Sequence, residues 1–256
     1  MRSILLLISC VTLLAAPGLY AVEAVAVDVA TAPKAEPAPV PDLPPGEAAL
    51  LKLVADCNGS YDKVKDYKCT FSKQELFQGV LKPVEVMELR YRKPGSIHLV
   101  WQNGILKNRQ AIYVSNQNDG KVLVYTGNLP TFHKVFRISL DSAEATRDNR
   151  HPINEAGMGF LCLRMRQQFD QAKTAGKLDA RYLGIETVAG RKAWHIMRKL
   201  EDGGRREWDV DVELMLPTHV STFDKEGKLL ESYTYSDIKL NPGLKDEDFD
   251  PEKSFF

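Results

Sequence analysis

Two periodicities alternate along the chain. From Glu47 to about Lys65, apolar residues recur at Leu50, Val54, Cys57, Tyr61 and Val64, and these spacings of three and four predict an amphipathic helix. Gly59 weakens its last turns. After Asp66 the period drops to two. The runs YKCTFSKQEL, VEVMELRYR, SIHLVWQ, QAIYVS and KVLVYTG read as strands, separated by Gly79, Lys93-Pro94-Gly95, Asn103-Gly104 and Asn118-Asp119-Gly120. Asn-Gly and Asp-Gly pairs tolerate positive φ and suit hairpin turns, so these strands should form an antiparallel meander. TFHKVFRISL adds another strand, ending in a polar patch around Asp148-Asn149-Arg150. Helical spacing returns in INEAGMGFLCLRMRQQFDQAKTAG, with Met158, Leu161, Met165, Phe169 and Ala172 on one stripe, Asn154 as the expected N-cap and Gly176 at the C-terminus. Strands resume in ARYLGIETV, KAWHIMRKL, REWDVDVEL, THVSTFD and LLESYTYSDIKL, the last two joined by the Lys225-Glu226-Gly227 turn.

So many antiparallel strands curl rather than stay flat. The expected fold is α+β: a strongly curved antiparallel half-barrel sheet of about 11 strands with helices covering its concave face. In the last strand, alternation groups Tyr233 and Tyr235 with Glu231, Asp237 and Lys239, against Ser232, Thr234, Ser236, Ile238 and Leu240. The charged company of the tyrosines points to the second, small-residue face as the concave one.

Composition sets the compartment and the domain limits. Arg2, the apolar run Ile4–Ala16 and the small residues near Ala21 and Ala24 have the layout of a secretory signal peptide, residues 1–21 or 1–24. The protein is therefore expected in the periplasm or outside the cell, with no transmembrane segment. Leu7-Ile8-Ser9-Cys10 loosely resembles a lipobox, but Cys10 leaves almost no apolar region ahead of it, so a lipid anchor there is not expected. Residues 25–46 carry six of the chain's 14 prolines, a composition that favours an extended, disordered tether. A single domain is expected over 47–256. Lys plus Arg equals Asp plus Glu at 34 each. That balance lacks the basic excess of a nucleic-acid binder. Cys57, Cys69 and Cys162 follow the leader; Cys57 and Cys69 are either bridged or, like Cys162, small buried apolar residues.

Chemistry-bearing motifs are sparse. The histidines His98, His133, His151, His195 and His219 form no His-x-x-x-His pair, and there is no Gly-x-Ser-x-Gly elbow or phosphate-binding glycine loop. No metal and no cofactor are expected. Glu207, Asp209, Asp211 and Glu213 share one strand face. A straight strand spaces them about 7 Å apart, which suits a solvated outer face, with Trp208, Val210 and Val212 inward, better than a calcium site. Three apolar faces stand out: Met87, Leu89 and Tyr91; Ile97, Leu99 and Trp101; and the helical Met158, Leu161 and Met165. With Ile238 they line either an apolar cavity, for which flexible methionines are suited, or an ordinary core.

In their order, these runs resemble the periplasmic lipoprotein-carrier family (LolA/LolB-like). VKDYKCTFSKQEL is similar to that family's first strand, MELRYRKPGSIHLVW to its strand, cation-Pro turn, strand unit, NDGKVLVY to its Asp-Gly-Lys hairpin, and LPTHVSTFDKEGKLLESYTYSDIKLNPGLKDEDFD to its closing hairpin. The similarity spans most of residues 47–256. It implies a half-barrel whose helices enclose an apolar cavity for the acyl chains of a lipid or lipoprotein. It also implies a latch before the turn proline, where the family has arginine and this chain has Lys93; the family's cavity Phe falls on Ile97. Lysine lacks bidentate geometry, so an identical latch is not expected, and alternation points Arg92 to the opposite face. NRHPINEAG is not a carrier hallmark and is similar to a secreted bacterial branch on the same fold. The leading expectation is a monomeric, non-enzymatic carrier of lipid or lipoprotein acyl chains. The alternative is an envelope sensor or interaction module that binds an envelope protein, and a third class is a hydrolase using His151 or His195 with nearby carboxylates. A large apolar cavity would favour the carrier; a filled core, the module.

Overall fold

The computed structural model describes residues 40–127, 135–147 and 149–255. The expected signal peptide, Cys10, His133, Asp148 and most of the expected proline-rich tether lie outside them. Helix α1 (Glu47–Asp62) leads into strands β1 (Asp66–Phe77), β2 (Val80–Leu81), β3 (Glu85–Arg92), β4 (Ser96–Trp101), β5 (Gln110–Val114), β6 (Lys121–Tyr125) and β7 (Val135–Ser139). Helix α2 (Met158–Thr174) is followed by β8 (Ala180–Val188), β9 (Arg191–Lys199), β10 (Arg205–Asp211), β11 (Leu216–Phe223) and β12 (Leu229–Leu240), and a short helix α3 (Pro251–Ser254) comes last. The strands form one open, curved antiparallel sheet in the order β7-β6-β5-β4-β3-β1-β12-β11-β10-β9-β8, with β2 attached to β1. The expected α+β half-barrel is thus observed. Because β7 and β8 are opposite edges, the chain between them must cross the whole sheet. It does so over the inner face, carrying NRHPINEAG and α2.

The inner face packs Tyr67, Phe71, Met87, Leu89 and Trp208 against Leu53 and Cys57 of α1 and Met158, Met165 and Phe169 of α2 in one continuous core. A smaller core lies on the outer face, where Phe249 and Phe255 cover Ile112, Leu123 and Tyr125. His98 secures that tail, with Nδ1 on the Asp248 carbonyl (3.0 Å) and Nε2 on Gln110 Oε1 (2.8 Å).

Four expectations change. First, Tyr233 and Tyr235 face the core, and the small-residue face of β12 is the outer one. Their hydroxyls do not suffer burial unpaired. The Gly157 amide donates to Tyr235 Oη and the Met158 amide to Tyr67 Oη, both at 3.0 Å, so sheet tyrosines cap α2. Alternation misled because Asp237 adopts φ 51° in a bulge, where the partners jump from Thr70↔Ser236 to Lys68↔Lys239. Beyond the bulge Ile238 and Leu240 swing back onto the core. Second, α2 starts at Gly157 rather than Asn154. Gly157 has φ 135°, and a Cβ there would sit 2.6 Å from Tyr67 Oη. Third, Asp209 and Asp211 are buried, not solvated: two histidines flank Asp209, and the Arg191 guanidinium covers Asp211. Fourth, Cys57, Cys69 and Cys162 are free buried thiols, so the bridged alternative gives way to the apolar one. The first described residues, ahead of Glu47, also touch the domain. Val40 and Leu43 pack on the core, and Trp194 Nε1 donates to the Pro41 carbonyl (3.0 Å).

Candidate functional site

The residues expected to line a cavity do come together. Met87, Leu89, Ile97, Leu99, Met158, Leu161 and Met165 are buried in the inner core, with Tyr91, Trp101 and Ile238 half-buried at its margin. They pack on one another and on the helices. Lys93 sits at the turn below α1. Its ammonium donates to the Tyr61 carbonyl (2.8 Å) and the Asp62 carbonyl (3.3 Å), and lies 4.3 Å from the centre of the Tyr61 ring. It therefore ties the last turn of α1 to the β3–β4 hairpin, at the negative end of the helix dipole. Arg92 points to the other face, where it meets Asp246 and the Phe249 ring.

At one end of the inner face the apolar pattern stops. Past Phe71 the inward positions of β1 are Lys73 and Glu75, and Glu75 pairs directly with Glu231 of β12. Two like charges opposed across strands repel unless cations reach them. The crossing segment supplies Arg150 and His151, and β10 supplies Arg206. Glu231 accepts from Arg150 Nε (3.1 Å), His151 Nε2 (3.0 Å), Arg206 Nη2 (3.0 Å) and Thr222 Oγ1 (2.9 Å). Glu75 accepts from the Arg150 amide (3.1 Å) and the Tyr233 hydroxyl (2.5 Å), and Lys73 stands 3.5 Å away. His151 Nδ1 bonds Glu155 (2.8 Å). Lys73 also bonds Asn149 and reaches Glu85 (3.6 Å), which accepts from Trp101 Nε1 (2.8 Å).

Burial alone would raise the Glu231 carboxyl, but the bonds from His151 and Thr222 and the charges of Arg206 and His151 hold it down at about 2. The bond to Glu231 raises His151 against the opposing effect of burial. Burial lowers Arg206, and burial together with the two neighbouring carboxylates raises Tyr233. His151 has a carboxylate on each ring nitrogen. It has no free nitrogen to act as a base, which argues against the hydrolase expectation at this residue. The cluster instead pins the crossing segment to the sheet. Beside it a cleft of about 410 Å³ opens between Leu76, Phe77 and Gln78 on one side and Thr146, Asn149, Arg150 and His151 on the other. A second, polar cleft of about 380 Å³ lies on the outer face around Glu88, Arg90, His98 and Lys253. Neither lies between the sheet and the helices.

Sequence reasoning singled out NRHPINEAG and His151 but missed Lys73, Glu75, Arg206 and Glu231. The available signal is charge at Lys73 and Glu75, positions that alternation places on the same face as Phe71.

A half-barrel sheet roofed by a crossing helix is a fold that this chain shares with solved structures. The chain belongs to the family described as protein of unknown function (DUF1571), whose profile matches residues 64–255. No curated protein matches the sequence. Among solved structures, MucB is similar with a TM-score of 0.52 at 17% identity, over 81% of this chain and 64% of MucB, so the chain spans less than two thirds of that protein. The Mycobacterium tuberculosis lipoprotein LppX is similar with a TM-score of 0.50 at 11% identity, over 78% of this chain and 99% of LppX. A LolA superfamily protein from Nitrosomonas europaea has a TM-score of 0.35 at 9% identity, over 78% of this chain and 97% of its own. At such identities the likeness concerns the fold alone. No described helix is long and apolar enough to cross a membrane.

Proposed function

We propose that the protein is an exported, non-catalytic interaction module of the cell envelope that recognises a polypeptide partner at the cleft beside Arg150 and His151. The observation that carries this is the placement of space. The apolar faces that would hold a guest are filled by each other, while the 410 Å³ cleft lies at the surface. The cleft combines the half-exposed Arg150 guanidinium with apolar Leu76 and the aromatic Phe77, the mixture that polypeptide interfaces favour. Export rests on the Arg2–Ala24 leader. The test is a pull-down from envelope extract with the wild type and with Phe77→Ala, a change at a half-buried residue outside the clamp. Recovery of one defined protein by the wild type, weakened at least tenfold in the variant, is expected. Co-purification of an amphiphile in native mass spectrometry, with no protein captured, would overturn it.

A second reading, an acyl-chain carrier held in a closed state, is favoured by the seam itself. Met87, Met158 and Met165 meet between sheet and helix, and Lys93 holds the end of α1 as a latch would. Under it, Lys93→Ala should raise the stoichiometry of extractable lipid.

A further inference from the structure

We infer that the outer face of β8–β10 holds a site for a divalent transition metal of the zinc class, with Glu186, His195 and Asp209 as its ligands. The sheet register builds it. Asp209 of β10 pairs directly with His195 of β9 on one side and His219 of β11 on the other, so three side chains line up across three strands. The next residue in that row, on β8, is Gly184, which has no side chain; a Cβ there would meet nothing within 4 Å. His195 is left uncovered on that side, and Glu186 leans in from two residues along β8. One ligand atom from each of Glu186, His195 and Asp209 lies within 4.8 Å of the others. Tetrahedral zinc with bonds of roughly 2.0–2.2 Å holds its ligand atoms about 3.3–3.6 Å apart, so these side chains would close by up to roughly 1.5 Å around the ion.

The donor set selects the metal class. One imidazole nitrogen and two carboxylate oxygens, fixed on neighbouring strands, suit zinc or cobalt better than calcium, which takes six to eight oxygens. The surroundings supply orientation. Asp209 Oδ2 accepts from His219 Nδ1 (2.6 Å), and His219 Nε2 is held by the Ser221 and Ser232 hydroxyls (3.0 and 3.1 Å). A ligating carboxylate anchored in this way keeps its direction. Glu207 Oε2 lies 4.0 Å from His195 Nε2, its other oxygen being paired with Arg205 Nε (2.7 Å). The Ser–His–Asp contact order also resembles that of a nucleophilic triad. These strands are internal to the sheet, however, and their amides are committed to its ladders, which leaves none for an oxyanion.

The test uses the full chain, expressed without a polyhistidine tag and freed of metal by chelation. Zinc titration by calorimetry near neutral pH should give one saturable equivalent, and cobalt should develop visible absorption of low-coordinate geometry. Glu186→Gln removes an exposed ligand and should leave folding intact while weakening zinc at least tenfold; His219→Gln should weaken it within roughly 10- to 100-fold. Absence of saturable zinc binding up to about 100 µM, or equal affinity in wild type and Glu186→Gln, overturns the assignment.

Discussion

Glu231 and His151 hold each other charged, and this fixes how the fold should respond to pH. Glu231 has its folded pKa at about 2, below its ordinary 4.5, so its contribution is complete above 4.5 and is lost as pH falls towards 2. His151 is raised above 6.5, so its contribution is complete below 6.5 and is lost as pH rises through the folded value. The clamp is therefore strongest between about 4.5 and 6.5. Asp209 and His195 are shifted in the same two directions, so only the difference between variant and wild type reports on the clamp. Glu231→Gln leaves Arg150, His151 and Arg206 facing a neutral amide, and should cost about 3–5 kcal/mol at pH 6 in urea unfolding. It should also flatten the decline below pH 4.5. His151→Gln should flatten the alkaline decline instead. Variants that keep the wild-type slopes on both limbs would show that the pair does not control acid or alkaline stability.

At the level of elements, the helices are held by contacts that only a glycine permits. A Cβ at Gly159 would meet the Tyr61 hydroxyl and ring carbons at 2.2–2.5 Å, and that half-buried ring also lies against the Lys93 ammonium. Gly159→Ala should destabilise by about 1–3 kcal/mol through overpacking, despite its better helix propensity. In a Tyr61→Leu background the same change should cost less, and strictly additive losses in a double-mutant cycle would rule out the contact. This contact also marks the limit of what the chain discloses before folding. Period-two runs and Gly-containing turns made the strands legible, and the Met158–Met165 stripe made α2 legible, because both patterns are local. The direction of β12 was not legible. A single bulge at Asp237 reverses alternation, and the inward tyrosines make sense only once the α2 amides they cap are placed beside them. The clamp was half legible. NRHPINEAG stood out, but its partners Glu75, Glu231 and Arg206 come from strands that meet it only because the β7–β8 crossover spans the inner face.

For the whole molecule the open question is whether the filled interior ever opens, and the native thiols can report it. Cys57 lies on α1, Cys162 on α2 and Cys69 on β1, all buried in the seam that a guest would have to enter. Burial raises all three thiols, Cys162 to about 12, so they are neither exposed nor ionised while the helices stay down. Modification must wait for an opening event, and its rate measures how often the seam parts. If the protein is an interaction module, a long-chain amphiphile should leave the labelling of Cys57, Cys69 and Cys162 unchanged within a factor of about two, because the ligand has no state to select. If it is a closed carrier, the amphiphile draws the population towards a lifted state, and labelling of the α1 and α2 thiols should accelerate at least tenfold. Peptide mapping by mass spectrometry assigns each adduct to its cysteine and separates these from Cys10. Lys93→Ala sharpens the contrast. It frees the last turn of α1, so it should speed Cys57 labelling severalfold even without a ligand, while Cys69 on the strand lags behind. Acceleration of Cys57 and Cys162 by amphiphile in the wild type would overturn the module reading and leave the acyl-chain carrier standing.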